Sequence, residues 1–300
     1  MTEFRFFDGH CDTISRCLET GEPLRQNTGH IDLSRTESFA AYAQVFALFC
    51  EDAARAPQML QPLYARYLLE TDQPEIARCR TAAEVRAAKT RCCALLSLEG
   101  AELLGCDPEN LAKAQDYGVR MINITWNHCN ALSGAHLEGA DCGLSDLGRI
   151  FVRDAQMLGI LMDVSHLSQR GFWDLVRCTR QPIAASHSNC SAVFPHSRSL
   201  TDEQIRAIAE TGGVVGLNLY ARFLGAEPTF ETLLRHLEHL MDIGGEEIAA
   251  MGADFDGCDR LCGGFSGIQD VPAFAEFLRT RGYPDALLQR IFFENWLRIL

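Results

Sequence analysis

The run Ile160-Leu161-Met162-Asp163-Val164-Ser165-His166 decides the fold. It opens with three consecutive apolar residues instead of an alternation, the form expected of a parallel strand buried on both faces. It ends in a histidine. Similar short apolar runs recur near 4–10, 43–50, 92–99, 119–126, 182–188, 212–220 and 248–254, with Ala94-Leu95-Leu96 and Gly213-Val214-Val215 also continuous. Helical patterns lie between them. Residues 57–70 and 144–158 carry apolar side chains at three- and four-residue spacing. Thr201-Asp202-Glu203-Gln204 opens a further helix with a capping signal, Gly212-Gly213 closes it, and Pro272–Arg281 and Ala286–Leu300 finish the chain. Such alternation predicts an α/β fold, a (β/α)8 TIM-like barrel with extra loop before its second strand, and residues 1–300 as one domain. Neither a low-complexity linker nor an internal repeat interrupts it.

Composition narrows the function. Forty acidic against 27 basic residues give a net charge of −13, with no Lys/Arg stripe to neutralise phosphates, so a nucleic-acid partner is excluded. Met1-Thr2-Glu3 leads straight into a strand-like run, which reads as no signal peptide, and no apolar stretch reaches the roughly 18 residues that span a bilayer. The 13 cysteines are scattered without zinc-ribbon spacing, as expected of reduced thiols packed as small hydrophobes in a cytoplasmic protein.

In barrels of this type chemistry gathers at the C-terminal ends of the strands. Five of the predicted strands end in groups that bind metals or protons: His10 and Asp12, Glu99, His166, His187, and Asp254 with Asp256 nearby. Each has a bland alternative. Glu99 could cap a helix, either histidine could be a hydrogen-bonded core residue, and Asp254 and Asp256 could make an Asx turn before Gly257. Taken together they would require repeated burial of groups that are costly without partners, and a shared metal site explains them jointly. Three histidines and three carboxylates exceed the ligands of a mononuclear catalytic zinc and suit a two-metal site with a bridging carboxylate and a base.

The chain resembles the membrane (renal-type) dipeptidases and their soluble bacterial relatives, metallopeptidases of the amidohydrolase-like barrel superfamily. The likeness is carried by DGHCD at 8–12, SLEG at 97–100, VRMINITWNHCN at 119–130, MDVSH at 162–166, ASHSN at 185–189 and SRSLTD at 197–202. It continues through GGVVGLNLY at 212–220, HLEHL at 236–240 and GADFDG at 252–257. The resemblance implies two Zn2+ per chain, with His10 and Asp12 on one ion, His166 and His187 on the other, and Glu99 bridging. Asp254 would be the acid/base, Arg198 would pair with the substrate's carboxylate, and Tyr220 would contact substrate. It also implies a dipeptide substrate, tolerance of a D-residue at the second position, and a homodimer. One departure stands out. Better-known relatives end the fourth strand in Thr-His, whose His polarises the scissile carbonyl, whereas this chain has Thr125-Trp126.

If that strand runs on, His128 shares the face of Trp126 and takes over part of the role; otherwise Trp126 reshapes the pocket. The implied reaction is hydrolysis of the peptide bond by a metal-bridging hydroxide, with Asp254 moving the proton. Hydrolysis of another small amide, an N-acyl amino acid or a lactam, is the alternative. A non-catalytic metal- or peptide-binding relative is a third reading, against which Asp254 argues. His30, His136 and His196 carry no expected role. His236 and His239 are expected on a helix face behind the barrel, and Cys11 in the barrel wall.

Overall fold

Doubly buried apolar strands need both faces covered and every backbone group paired, and a ring of parallel strands wrapped in helices meets both demands. The computed structural model describes residues 4–300; Met1, Thr2 and Glu3, on which the reading of the chain's start rests, lie outside the described residues. Its strands are β1 (Arg5–Cys11), β2 (Ala41–Phe49), β3 (Ile76–Arg78), β4 (Cys92–Glu99), β5 (Val119–Asn123), β6 (Leu161–Asp163), β7 (Ile183–Ser188), β8 (Val214–Leu217) and β9 (Ala249–Met251). All pairings are parallel, in the order β2-β1-β9-β8-β7-β6-β5-β4, and β2 pairs with β4 to close the ring. This is the expected (β/α)8 barrel. The short β3 is an addition: it pairs with Cys92–Ala94, below the point where β5 joins β4 at Leu96. Three residues are too few to carry a periodic signal.

Two apolar layers hold the ring. Phe7, Val45, Leu95, Met121, Leu161, Ala184, Val214 and Ala250, from all eight barrel strands, form one cluster with Phe293, Trp296 and Leu297 of the chain's last turns. The C-terminal segment therefore closes the barrel at the end opposite the site, and the Trp296 indole N–H donates to the Met251 carbonyl at 2.7 Å. Residues on the other faces, among them Phe6, Phe46, Leu96 and Met162, pack against the helices through Leu60, Phe151, Leu175 and Leu237. The expected helices form at Ala56–Thr71, Asp146–Met157, Asp202–Glu210 and Val271–Thr280, and Thr201 and Gln204 make the anticipated reciprocal cap. The final helix is Asp285–Gln289 and Asn295–Ile299 joined by a π turn at Arg290–Glu294. Among the described residues no helix is long and apolar enough to cross a membrane.

Register breaks prepare the site. On β1 three steps from Asp8 to Cys11 match two on β2, and on β7 three steps from Ala185 to Ser188 match two on β8. Each extra residue is a bulge, which re-aims side chains locally, and the two bulges contain His10 and His187. At the second, the Ser186 carbonyl folds into space that only glycine leaves open: a Cβ on Gly216 or Gly252 would overlap that oxygen. Gly252→Ala should therefore lower stability by about 3 kcal/mol, the upper end for overpacking, because backbone cannot yield as a side chain does. A denaturant midpoint indistinguishable from that of the parent protein would refute this.

Candidate active site

Several strands end earlier than the apolar runs suggest. β6 stops at Asp163, β9 at Met251 and β5 at Asn123, and beyond them His166 (φ 71°) and Asp254 (φ 62°) adopt left-handed backbone. His and Asp tolerate that conformation better than bulkier residues, though it costs on the order of 1 kcal/mol. The turn out of the ladder brings both side chains to the barrel mouth. There Asp12, Glu99, Trp126, Asn127, His166, Tyr220 and Asp254 line a cavity of about 420 Å³. His10 and His187 lie at its base, almost fully buried.

Glu99, at the end of β4, is the centre. Its Oε2 is 3.4 Å from His10 Nε2, which is also 3.4 Å from Asp12 Oδ2. Its Oε1 is 3.0 Å from His166 Nε2 and 3.7 Å from His187 Nε2. One carboxylate thus faces two ligand pairs with its two oxygens. Candidate metal-holding groups are His10 with Glu99 and His187, and His10 with Asp12 and Asp254. Burial, reinforced by Asp12, pushes the Glu99 carboxyl up to about 8, and burial pushes Asp254 up to about 6. Burial also opposes a charged His10, but Glu99 and Asp12 outweigh it and raise its proton affinity. The cluster thus favours added positive charge beside Glu99 and Asp12.

The donor atoms fit a divalent metal. His10 Nε2 and Asp12 Oδ1 are buried without a hydrogen-bond partner, which is costly unless something else pairs with them. His166 and His187 are held neutral mainly by burial, with their Nε2 atoms 2.9 Å apart. The Nδ1 atoms are engaged, His166 with Asn127 Oδ1 at 2.9 Å and His187 with Ser186 Oγ at 2.7 Å. Anchoring one ring nitrogen leaves the other as an oriented lone pair, the usual support for a metal-ligating imidazole.

Comparison with known proteins now bears on these residues. The family model for the membrane dipeptidases, peptidase family M19, matches residues 1–300. The chain belongs to the membrane dipeptidase family. A protein of Klebsiella pneumoniae is 33% identical over 236 residues, covering 74% of this chain and 87% of that protein. The crystal structure of a family M19 metallopeptidase, dipeptidase AC, superposes with a TM-score of 0.90 at 32% identity, covering 99% of this chain and 97% of the other. A metallopeptidase from Rhodobacter sphaeroides, solved with a phosphinate mimic of the dipeptide L-Ala-D-Ala, gives 0.86 at 31% identity, covering 99% and 98%. The protein is accordingly a metal-dependent dipeptidase.

Around the dipeptidase cluster most residues singled out in the sequence converge. Arg198 is buried, with one terminal nitrogen 3.2 Å from the His187 carbonyl and the other 3.5 Å from Ser188 Oγ. Its Nε is buried and unpartnered. Burial lowers the guanidinium to about 10, against the pull of Asp254 and Glu99. Tyr220 does not close a strand, since β8 ends at Leu217; it opens a turn at Ala221–Phe223 and lines the cavity from there. Trp126 lines it too, its ring 4.9 Å from that of Phe49 and 6.3 Å from that of His166.

His128 does not line this cavity, although its ring lies 5.8 Å from that of Trp126. With β5 ended at Asn123 no alternation carries it inward; its side chain is 58% exposed and lies 3.3 Å from Glu138. Three groups that were given no role matter here. His136 Nε2 shares Asn127 Oδ1 with His166 at 2.7 Å. His30 Nδ1 accepts the Asp256 N–H at 2.9 Å, and Asp256 in turn holds the His30 amide and the Thr13 hydroxyl, so Asp256 secures a loop. Asn218 donates to Asp254 Oδ2 at 3.1 Å. Its place in GLNLY, a polar amide closing an apolar run, was the available signal. His236 accepts the Cys190 N–H behind the barrel, His239 pairs with Asp202, and Cys11 is buried in the outer layer, all as expected.

Proposed function

We propose that the protein hydrolyses dipeptides, L-D as well as L-L, with two zinc ions held by His10, Asp12, Glu99, His166 and His187. The observation that carries this reading is Glu99, whose two oxygens face separate pairs of buried ligands. When bound, the zinc pair supplies an activated water and a Lewis acid for the carbonyl. Arg198 receives the substrate's carboxylate, for which a guanidinium fork is shaped, and the requirement for that group near the reacting bond restricts the substrate to two residues. Asp254 takes the water's proton and returns it to the leaving amine. Trp126, Phe49 and Tyr220 wall off the cleft around the side chains. The phosphinate L-Ala-D-Ala mimic held by the Rhodobacter sphaeroides relative supports a D-residue at the second position.

The test is release of free amino acids from a panel of L-L and L-D dipeptides by zinc-loaded protein, with a chelated control. Chelator-sensitive cleavage of both series is expected. No turnover by protein holding two zinc ions per chain would overturn the reading and favour N-acyl amino acids or lactams. Within the same panel, Arg198→Lys should raise KM roughly 30-fold, the equivalent of about 2 kcal/mol for a charge-assisted hydrogen bond. A KM unchanged for dipeptides would remove Arg198 from carboxylate recognition.

A further inference from the structure

Asn127 follows the point at which the chain leaves β5, and its amide oxygen and nitrogen have different surroundings. Oδ1 accepts from His166 Nδ1 at 2.9 Å and from His136 Nε2 at 2.7 Å. His136 Nδ1 in turn faces the Ser197 hydroxyl at 2.9 Å, which can donate to it while His136 Nε2–H donates to Asn127 Oδ1. Ligation of a metal through His166 Nε2 likewise requires the hydrogen on His166 Nδ1. Two N–H donors on one side fix the oxygen there and leave Nδ2 on the other. Nδ2 makes no hydrogen bond among the described residues, and Asn127 lines the cavity beside Trp126, Glu99 and His166. An oriented, unpaired amide donor at the wall of a hydrolytic cleft is suited to a developing oxyanion, because its orientation is already fixed before the reaction begins.

We propose that Asn127 is a catalytic residue whose side-chain N–H donates to the oxygen of the scissile carbonyl. The inference rests on the dipeptidase reading above. As the water oxygen bonds to the carbonyl carbon, the carbonyl π pair moves onto oxygen, and Asn127 Nδ2 donates a hydrogen bond to that charge without transferring its proton. When the C–N bond breaks, the pair returns to the carbonyl and the amine leaves with the proton from Asp254. This places an amide where Trp126 can supply no hydrogen bond of this kind from its ring face, and it gives His136 a part as well, since His136 holds the oxygen side of Asn127 in place.

Two variants separate donation from mere support of His166. Asn127→Asp keeps an acceptor for both histidines and loses the donor; Asn127→Leu loses both. Zinc per chain, kcat and KM for an L-D dipeptide, and the affinity of a phosphinate dipeptide mimic would be measured for each zinc-loaded protein. The expected result is a kcat about 100-fold lower in both variants, a similar loss of phosphinate affinity, KM within about threefold, and full zinc content in Asn127→Asp. Asn127→Asp with kcat and phosphinate affinity within about threefold of the parent overturns the proposal, whatever Asn127→Leu does, and leaves Asn127 as a positioning residue for His166. Failure of the parent itself to cleave or to bind the phosphinate would instead reject the dipeptidase reading.

Discussion

Glu99→Gln should reduce zinc from two ions per chain to one or none and lower kcat/KM by about four orders of magnitude. The substitution keeps the shape of the side chain and removes one of its two acceptor oxygens. His10 and Asp12 lie on one side of Glu99 and His166 and His187 on the other, so an amide serves one pair only. Lewis-acid assistance amounts to several kcal/mol, and tenfold in rate corresponds to about 1.4 kcal/mol, which sets the size of the loss. Stability should move the other way. In the metal-free protein Glu99 is a buried carboxyl whose proton affinity burial and Asp12 have raised, to about 8. Replacing it with a neutral amide removes that strain, so the metal-free Tm should stay level or rise while the added stability conferred by zinc is lost. Two tightly held zinc ions in Glu99→Gln would show that Glu99 does not bridge them.

The barrel was legible because each strand is an apolar run and each run is followed by a helical period. Six of the eight barrel strands fall within the runs marked from sequence, and the other two, Arg5–Cys11 and Ala41–Phe49, overrun theirs by one and two residues. What could not be read is where the strands stop. Ile160–His166 looks extended throughout, yet pairing ends at Asp163 and His166 is left-handed. Nothing in the order of side chains records that change, since it follows from bonds made elsewhere: Asp163 Oδ1 accepts from the Ser165 and Ser186 amides and binds β6 to β7. The same ignorance of strand ends bears on His128: β5 stops at Asn123, and His128 reaches Trp126, ring centroids 5.8 Å apart, from a loop and not from a strand. The ligand types were visible as His, Asp and Glu closing apolar runs. Their supports were not: Asn127, His136, Ser186 and Asn218 act through partners 39, 9, 1 and 36 residues distant in sequence, and hydrogen bonds of this kind leave no periodic trace.

Asp254→Asn should lower kcat by about 10³-fold, within the range for general acid–base catalysis, while zinc content and KM stay near those of the parent. Asp254 is nearly fully buried, left-handed, and fixed by the Asn218 amide at Oδ2. Asn fits the same backbone conformation, among the few residues that adopt it readily, and its oxygen can take the Asn218 hydrogen bond. The variant therefore preserves the site's shape and removes only the capacity to accept and return a proton. Burial first, then repulsion from Asp12, sets the proton affinity of Asp254 near 6, with His10, Asn218 and Arg198 opposing the rise. A carboxyl in that range is ionised enough to receive a proton and acidic enough to give it up, as one group must when it serves both the attacking water and the departing amine. Residual activity above about a tenth of the parent's would assign the proton transfer elsewhere. If zinc were lost along with activity, Asp254 would have to be counted a ligand, in keeping with its grouping with His10 and Asp12. The expected outcome, full zinc with chemistry nearly abolished, is the combination that only a proton-transfer role produces.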